Sequence, residues 1–330
     1  MRELPIYPLQ FEPICQYRLW GGRRLANWIE QPLPGEGPIG EAWLLSDRAD
    51  NPSRVLEGPL KGRTIAELID CAPTFLLGKF STRYRRFPLL LKFLDVSDML
   101  SVQVHPSDAH HDLIPEGETG KTEGWVVLES GPASRIYAGL KPGVTAKELR
   151  ALSLSTVDNC LPSFTPSPGQ SVLVEAGDVH SLGNGVVVLE VQQNSDVTFR
   201  LYDWDHVDPK LHGPRPLQIE QALDCIDLMQ GIIDPVAPTV EATHPVRRER
   251  LLDCSHFRLW RLTGAAPFDI GGDNVPTVLV CAKGVGVIEY GGCNYNMKKG
   301  TVVLLPAAIG VCSFRPDGSV ELMEIAIATA

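Results

Sequence analysis

The chain has 330 residues, 44% hydrophobic and 21% charged, enough to bury one large core or two smaller ones and too apolar for a disordered segment. Its formal net charge of −10 argues against a nucleic-acid surface, which needs a clustered basic footprint, though a small anion would need only a few cations inside a pocket. Eight cysteines, at 15, 71, 160, 225, 254, 281, 293 and 312, form no CxxC pair and read as reduced thiols of a cytoplasmic protein; no signal-peptide core or membrane-length apolar run is present.

Taken in chain order, TIAELID (64–70) has helical spacing. PLLLKFLDV (88–96), LSVQVHP (100–106), GWVVLES (124–130) and SRIYAGL (134–140) then read as strands, followed by a helical TAKELRALS (145–153). Strands return with SVLVEAGDVH (171–180), GVVVLEVQQ (185–193) and VTFRLYDW (197–204), and RPLQIEQALDCIDL (215–228) is the last helical pattern. The proline-rich 231–246 stretch, GIIDPVAPTVEATHPV, reads as a linker. Beyond it FRLWRL, TVLVCAKG, VGVIEYGG, TVVLLPAA and VELMEIAIA are strands again. Short strands at this spacing predict a mainly β sandwich or barrel with a few helices, divided as 1–235 and 236–330.

An internal repeat supports the division. VLVEAGDVHSLGNGVVVLEV in the first half matches VLLPAAIGVCSFRPDGSVELMEI in the second, and when Val172 is set on Val303, Val311 falls where His180 stands. The second copy therefore keeps the frame and loses the polar residue. GVGVIEYGG (284–292) is not a dinucleotide loop, because the third glycine of G-x-G-x-x-G would have to be Glu289 and no helix pattern follows.

In SVQVHP, alternation places Gln103 and His105 on one face of a strand and Val102 and Val104 on the other. With Glu123 and His180, also at or near strand ends, they make two imidazoles, a carboxylate and an amide oxygen. That set suits Zn²⁺, with Mn, Fe or Co as alternatives, and leaves a position open for water or substrate. A single strand histidine is usually a hydrogen-bonded structural residue, but several inward polar groups in one β unit are costly without a shared partner. His110 and His111, in the loop beside Asp108 and Asp112, read as solvated and outside the set. Lys121 shares the face of Glu123. Arg200 offers a fixed guanidinium for an anionic oxygen next to a metal, and Lys92, inside LLLKFL, either snorkels or lines a polar cavity.

Read together, YRLWGGRRL, IGEAWLLSD (39–47), PLLLKFLDVSDMLSVQVHP (88–106), GKTEGWVVLE (120–129) and VEAGDVHSLGNGVVVLEVQQNSDVTFRLYDWDH (174–206) resemble the type I phosphomannose isomerase family of the cupin superfamily, over essentially the whole chain and in its short bacterial form. The resemblance implies a cupin jelly-roll β-barrel followed by a smaller degenerate one, and interconversion of mannose 6-phosphate and fructose 6-phosphate. It implies one zinc held by Gln103, His105, Glu123 and His180, with Arg200 in the active site and Ser101, Lys92 and Lys121 facing the phosphate or sugar hydroxyls. The proton-transfer base is left open among a water on the metal, Asp196 and Lys121. Gly124 departs from the cysteine many relatives carry there. Two other readings are a cupin of dioxygenase type and a non-catalytic sugar-phosphate-binding protein.

Overall fold

The computed structural model describes residues 4–329; Met1–Glu3, the start of the N-terminal stretch read above, and Ala330 lie outside the described residues. Four antiparallel sheets form two sandwiches. In the first, a six-stranded sheet runs in the order Ile14–Gln16, Glu41–Leu45, Leu89–Val96, Val186–Gln193, Glu123–Glu129, Ser171–Val174. It faces a five-stranded sheet ordered Phe199–Tyr202, Val102–Val104, His180–Gly183, Arg135–Ala138, Ser163–Phe164. Period-2 alternation turns Leu94, Trp125, Val127, Val186 and Val188 of the one sheet toward Ile136, Ala138 and Leu182 of the other, and these form one buried cluster.

The second sandwich repeats the order. Thr239–Ala242, Arg247–Asp253, Phe257–Gly264, Val320–Ile327, Thr277–Lys283 and Val302–Leu305 make its larger sheet. Phe268–Gly271, Val311–Pro316, Val285–Tyr290 and Cys293–Lys298 make the smaller. The mainly β, twice-built architecture expected from the sequence is present. Each unit is a jelly roll built from a pair of facing sheets, with strand pairing kept within each sheet. The repeat extends to single positions. Gln103 pairs with His180 on the interior face as Ile270 pairs with Cys312, and Glu123 pairs with Val174 and Gln192 as Thr277 pairs with Leu305 and Ala326; Val311, which sequence spacing set on His180, is half exposed on the opposite face of its strand from Cys312. The interior of the second copy is filled by Leu262, Ile270, Leu279, Ile288 and Phe314. The strand places of Gln103, His180 and Glu123 are taken there by Ile270, Cys312 and Thr277, so no amide, imidazole or carboxylate remains at them.

The two units share a core. The outer face of the first large sheet, with Leu89, Leu91, Phe93, Val187, Leu189 and Val191, packs on Leu251, Phe257, Val278, Met323 and Ile325 of the second. The helices Ile65–Cys71 and Pro73–Leu77 extend this layer, the first opened by a Thr64/Glu67 capping box. The helices Ala146–Arg150, Val157–Cys160 and Ile219–Cys225 cover the outer face of the five-stranded sheet, where Val102 and Val104 are buried against Leu149, Ala222 and Cys225. The 231–246 stretch is not a free linker: Ile232 and Val236 bridge to Gly139 and Ser171, and Thr239–Ala242 is an edge strand. Its prolines fall outside the paired residues, so pairing is compatible with them.

Gly124 lies on this shared core. A Cβ there would come within 2.6 Å of Leu252 Cδ1, so the leucine fills the volume that a side chain at 124 would need. All eight cysteines are unpaired, and no helix is long and apolar enough to cross a membrane among the described residues.

Candidate active site

Register builds the site. In the smaller sheet Arg200 lies opposite Gln103, and Gln103 opposite His180, so three polar side chains stand in one row across three strands. In the larger sheet a second row runs Trp43, Lys92, Glu190, Trp125. Both rows face the sandwich interior. Pro106 ends the strand Val102–Val104 just beyond His105, and Glu123 opens its own strand, so both side chains sit at a rim where the sheets give way to loops.

Gln103, His105, Glu123 and His180 do converge, and all are buried. One donor atom from each of His105, Glu123 and His180 lies within 4.8 Å of the others. The histidine Nε2 atoms are 3.3 Å (His105) and 3.4 Å (His180) from the Glu123 carboxylate oxygens. Gln103 Nε2 is 3.1 Å from His180 Nε2. Each imidazole is oriented from behind: His105 Nδ1 donates to the Val197 carbonyl at 2.8 Å, and His180 Nδ1 to that of Asp178 at 2.9 Å. That fixes both Nε2 atoms as lone-pair donors toward the centre. Burial, then the charge of Lys121, pushes the His105 pKa down to about 3, which keeps it neutral. Burial alone would raise the Glu123 carboxyl, but Lys121 and then His105 hold it well below the usual carboxylate range.

These residues fit a divalent cation. Both Glu123 oxygens are buried without a hydrogen-bond partner; Lys121 Nζ stands 2.7 Å from one but outside hydrogen-bond geometry. The His105 lone pair has Lys121 Nζ at 3.1 Å and the His180 lone pair has Gln103 Nε2 at 3.1 Å, so what a cation would supply is the partner that both buried Glu123 oxygens lack. Gln103 Oε1 accepts from Ser101 Oγ at 3.0 Å; turning the amide over would aim Oε1 at the centre while the hydroxyl accepts from the nitrogen. Ser101 thus stands behind Gln103 and holds its amide, rather than on the cavity wall.

Beside this centre is a cavity of about 310 Å³ lined by Tyr17, Arg18, Trp20, Glu41, Lys92, Gln103, Lys121, Glu190, Asp196, Thr198, Arg200, Asp208 and Arg215, among others. Small-ligand clefts are usually largely apolar; this one is walled by charges and suits a polyhydroxylated anion. Lys92 does not snorkel. It is 2% exposed, with Nζ 3.2 Å from Glu190 Oε1 and 4.0 Å from Glu41 Oε2. Arg18 forks onto Glu41 at 2.9 and 3.0 Å, and the indoles of Trp43 and Trp125 donate to Glu41 and Glu190. Burial would raise the Glu41 carboxyl, yet Arg18 and Lys92 bring it to about 2, while burial and the Glu123 charge raise Glu190.

Removing one member of such a buried set strands the others. Lys92→Met is expected to cost about 3–5 kcal/mol in urea denaturation, and the double variant with Glu190→Gln much less. Equal midpoints for the two would show that the pair is not coupled.

Arg18, Lys92, Lys121 and Arg215 each have a carboxylate within 4.0 Å. Arg200 has none among the described residues, and its buried Nε lacks a partner, which leaves its fork free for a ligand. Asp196 enters the cavity 3.8 Å from Lys92 and 3.9 Å from Arg18. His110 stays in its loop, bonded to Ser107. Sequence reasoning gave no role to Glu41, Glu190, Arg18 or Arg215. The two glutamates carried the signal that picked out Lys92, a charge inside an apolar strand; Arg215, in a loop, carried none.

A nitrogen–oxygen ligand set beside a charged cavity, on one of two duplicated jelly-roll units, defines a metalloenzyme of the cupin class. The family description "Phosphomannose isomerase type I, catalytic domain" matches residues 9–119. Over 325 residues the chain is 32% identical to mannose-6-phosphate isomerase ManA of Bacillus subtilis (strain 168), covering 95% of this chain and 97% of that one. It is 31% identical over 319 residues to mannose-6-phosphate isomerase of Streptococcus mutans, covering 96% and 97%. The crystal structure of the Bacillus subtilis mannose 6-phosphate isomerase superposes with a TM-score of 0.85 at 27% identity, covering 96% of this chain and 99% of that one. The chain belongs to the type I phosphomannose isomerase family, and it is an aldose–ketose isomerase.

Proposed function

We propose that the cavity interconverts mannose 6-phosphate and fructose 6-phosphate, with a zinc ion held by Gln103, His105, Glu123 and His180 and Arg200 as the anion receptor. The observation that carries the roles is the unpaired guanidinium of Arg200 directly across the strand from the ligand Gln103. Bound there, zinc supplies a Lewis acid for a sugar oxygen. Aldose–ketose interconversion moves a proton between C1 and C2 through an enediolate, and Arg200 offers two donors to the charge that develops on it. Lys92 and Lys121, fixed by Glu190 and Glu123, line the same wall and bind hydroxyl or phosphate oxygens, with Ser101 holding the Gln103 amide behind them. Asp196 and Lys121, both on the cavity wall, are our candidates to shuttle the proton.

We place the chemistry in residues 1–235 and a supporting role in 236–330, whose copy of the site has Ile270, Cys312 and Thr277 at the places of Gln103, His180 and Glu123. A reducing compartment such as the cytoplasm suits the unpaired thiols. Elemental analysis with an oxygen electrode tests the metal: zinc near one per chain and no oxygen uptake are expected, whereas iron with substrate-dependent uptake would make it a cupin of dioxygenase type.

A further inference from the structure

We propose that Asp108 is a positioning residue for the isomerase, fastening together the three chain segments that carry its polar groups to the cavity. The two histidines of the SDAHHD loop read as solvated in sequence, and Asp108 is exposed, yet each of its carboxylate oxygens receives a different segment. Oδ1 accepts from the Gly120 amide at 2.7 Å and Oδ2 from Gln193 Nε2 at 3.1 Å. Gln193 Oε1 in turn accepts from the Thr122 amide at 2.9 Å. The chain therefore runs from three residues past His105, through Gly120 and Thr122 on either side of Lys121, to the turn that holds Asp196.

Three further contacts fix the same junction. The Lys121 amide donates to Pro106 O at 2.9 Å, Ser195 Oγ to Thr119 O at 2.8 Å, and Gln192 Nε2 to Ser195 O. Gly120 is bare where a Cβ would run into the backbone of Ser107 and Asp108, so the two loops approach as closely as backbone allows. Asp108 is absent from the wall of the 310 Å³ cavity and borders a separate cleft of about 680 Å³ with Gln193. It touches no substrate and acts through Lys121, Glu123 and Asp196. Because both of its partners are donors, only a carboxylate satisfies both; an amide at 108 would leave Gln193 facing another donor.

That last point gives the test, which rests on the reaction assigned to the cavity. Asp108→Asn and Gln193→Glu each break the link. Combined they restore it in reverse, since Asn at 108 accepts from Gly120 and donates to a carboxylate at 193, which still accepts from Thr122. Each single variant is expected to lower kcat about tenfold, with KM within about threefold and metal content unchanged. The double variant should return kcat to within about threefold of the parent. Unchanged kcat in the singles, a loss that follows metal content or melting temperature, or a double no better than the worse single would overturn the proposal. If a single variant does not fold, the double decides: folded with restored kcat supports the link, and unfolded or inactive refutes it. Absent turnover in the parent protein would count instead against the reaction assigned to the cavity.

Discussion

Arg200→Ala is expected to lower kcat by about 10²–10³-fold while the protein keeps its metal and its melting temperature. The side chain lines the cavity, makes no ion pair among the described residues and leaves Nε unsatisfied, so truncation removes a ligand-directed group and no internal bond. Burial and then the nearby Arg215 disfavour its charge, a cost that an anionic ligand would relieve. Arg200→Lys should recover part of the loss, because a point charge replaces the charge but not the two-donor fork. Steady-state kinetics alongside metal analysis checks this. Near-normal turnover in Arg200→Ala would remove it from the chemistry.

The opposite pattern is expected for His180→Ala, with the metal lost and activity lost with it. His180 is fully buried, its Nδ1 is committed to the Asp178 carbonyl, and its Nε2 has only Glu123 and Gln103 before it. Removing it leaves Glu123 with one imidazole. Metal affinity should fall by more than about 100-fold, since disturbing even the groups behind a ligand costs 10–100-fold. Titration of metal-free protein with zinc measures this, and unchanged affinity would place the ion elsewhere. The second sandwich shows the end point of such change, with Cys312 and Ile270 in the interior places of His180 and Gln103 and hydrophobic side chains filling the interior.

The strands and the convergence of the four polar residues were legible because both rest on alternation. SVQVHP placed Gln103 on one face and Val102 and Val104 on the other, and the structure buries the valines against the outer helices and Gln103 beside His180. The repeat was legible for the same reason, since Val172 and Val303 occupy matching edge strands of matching sheets. Other features depend on who pairs with whom, which local pattern does not carry. The Lys92–Glu190 pair joins strands distant in sequence, and only register shows that the lysine is neutralised in place rather than reaching for solvent. Thr239–Ala242 lies in a proline-rich stretch that looks like a linker until its neighbour Arg247–Asp253 is seen beside it. Asp108 received no role in the sequence because its partners, Gly120 and Gln193, come from other loops.

The most direct measurement is a coupled assay of mannose 6-phosphate conversion to fructose 6-phosphate on the same preparation as purified, after chelation with metal analysis, and after zinc is returned. A cavity that works as described turns over as purified, stops when metal-free and recovers with zinc. Turnover that persists in demonstrably metal-free protein, or no turnover in protein carrying one metal per chain, would contradict it.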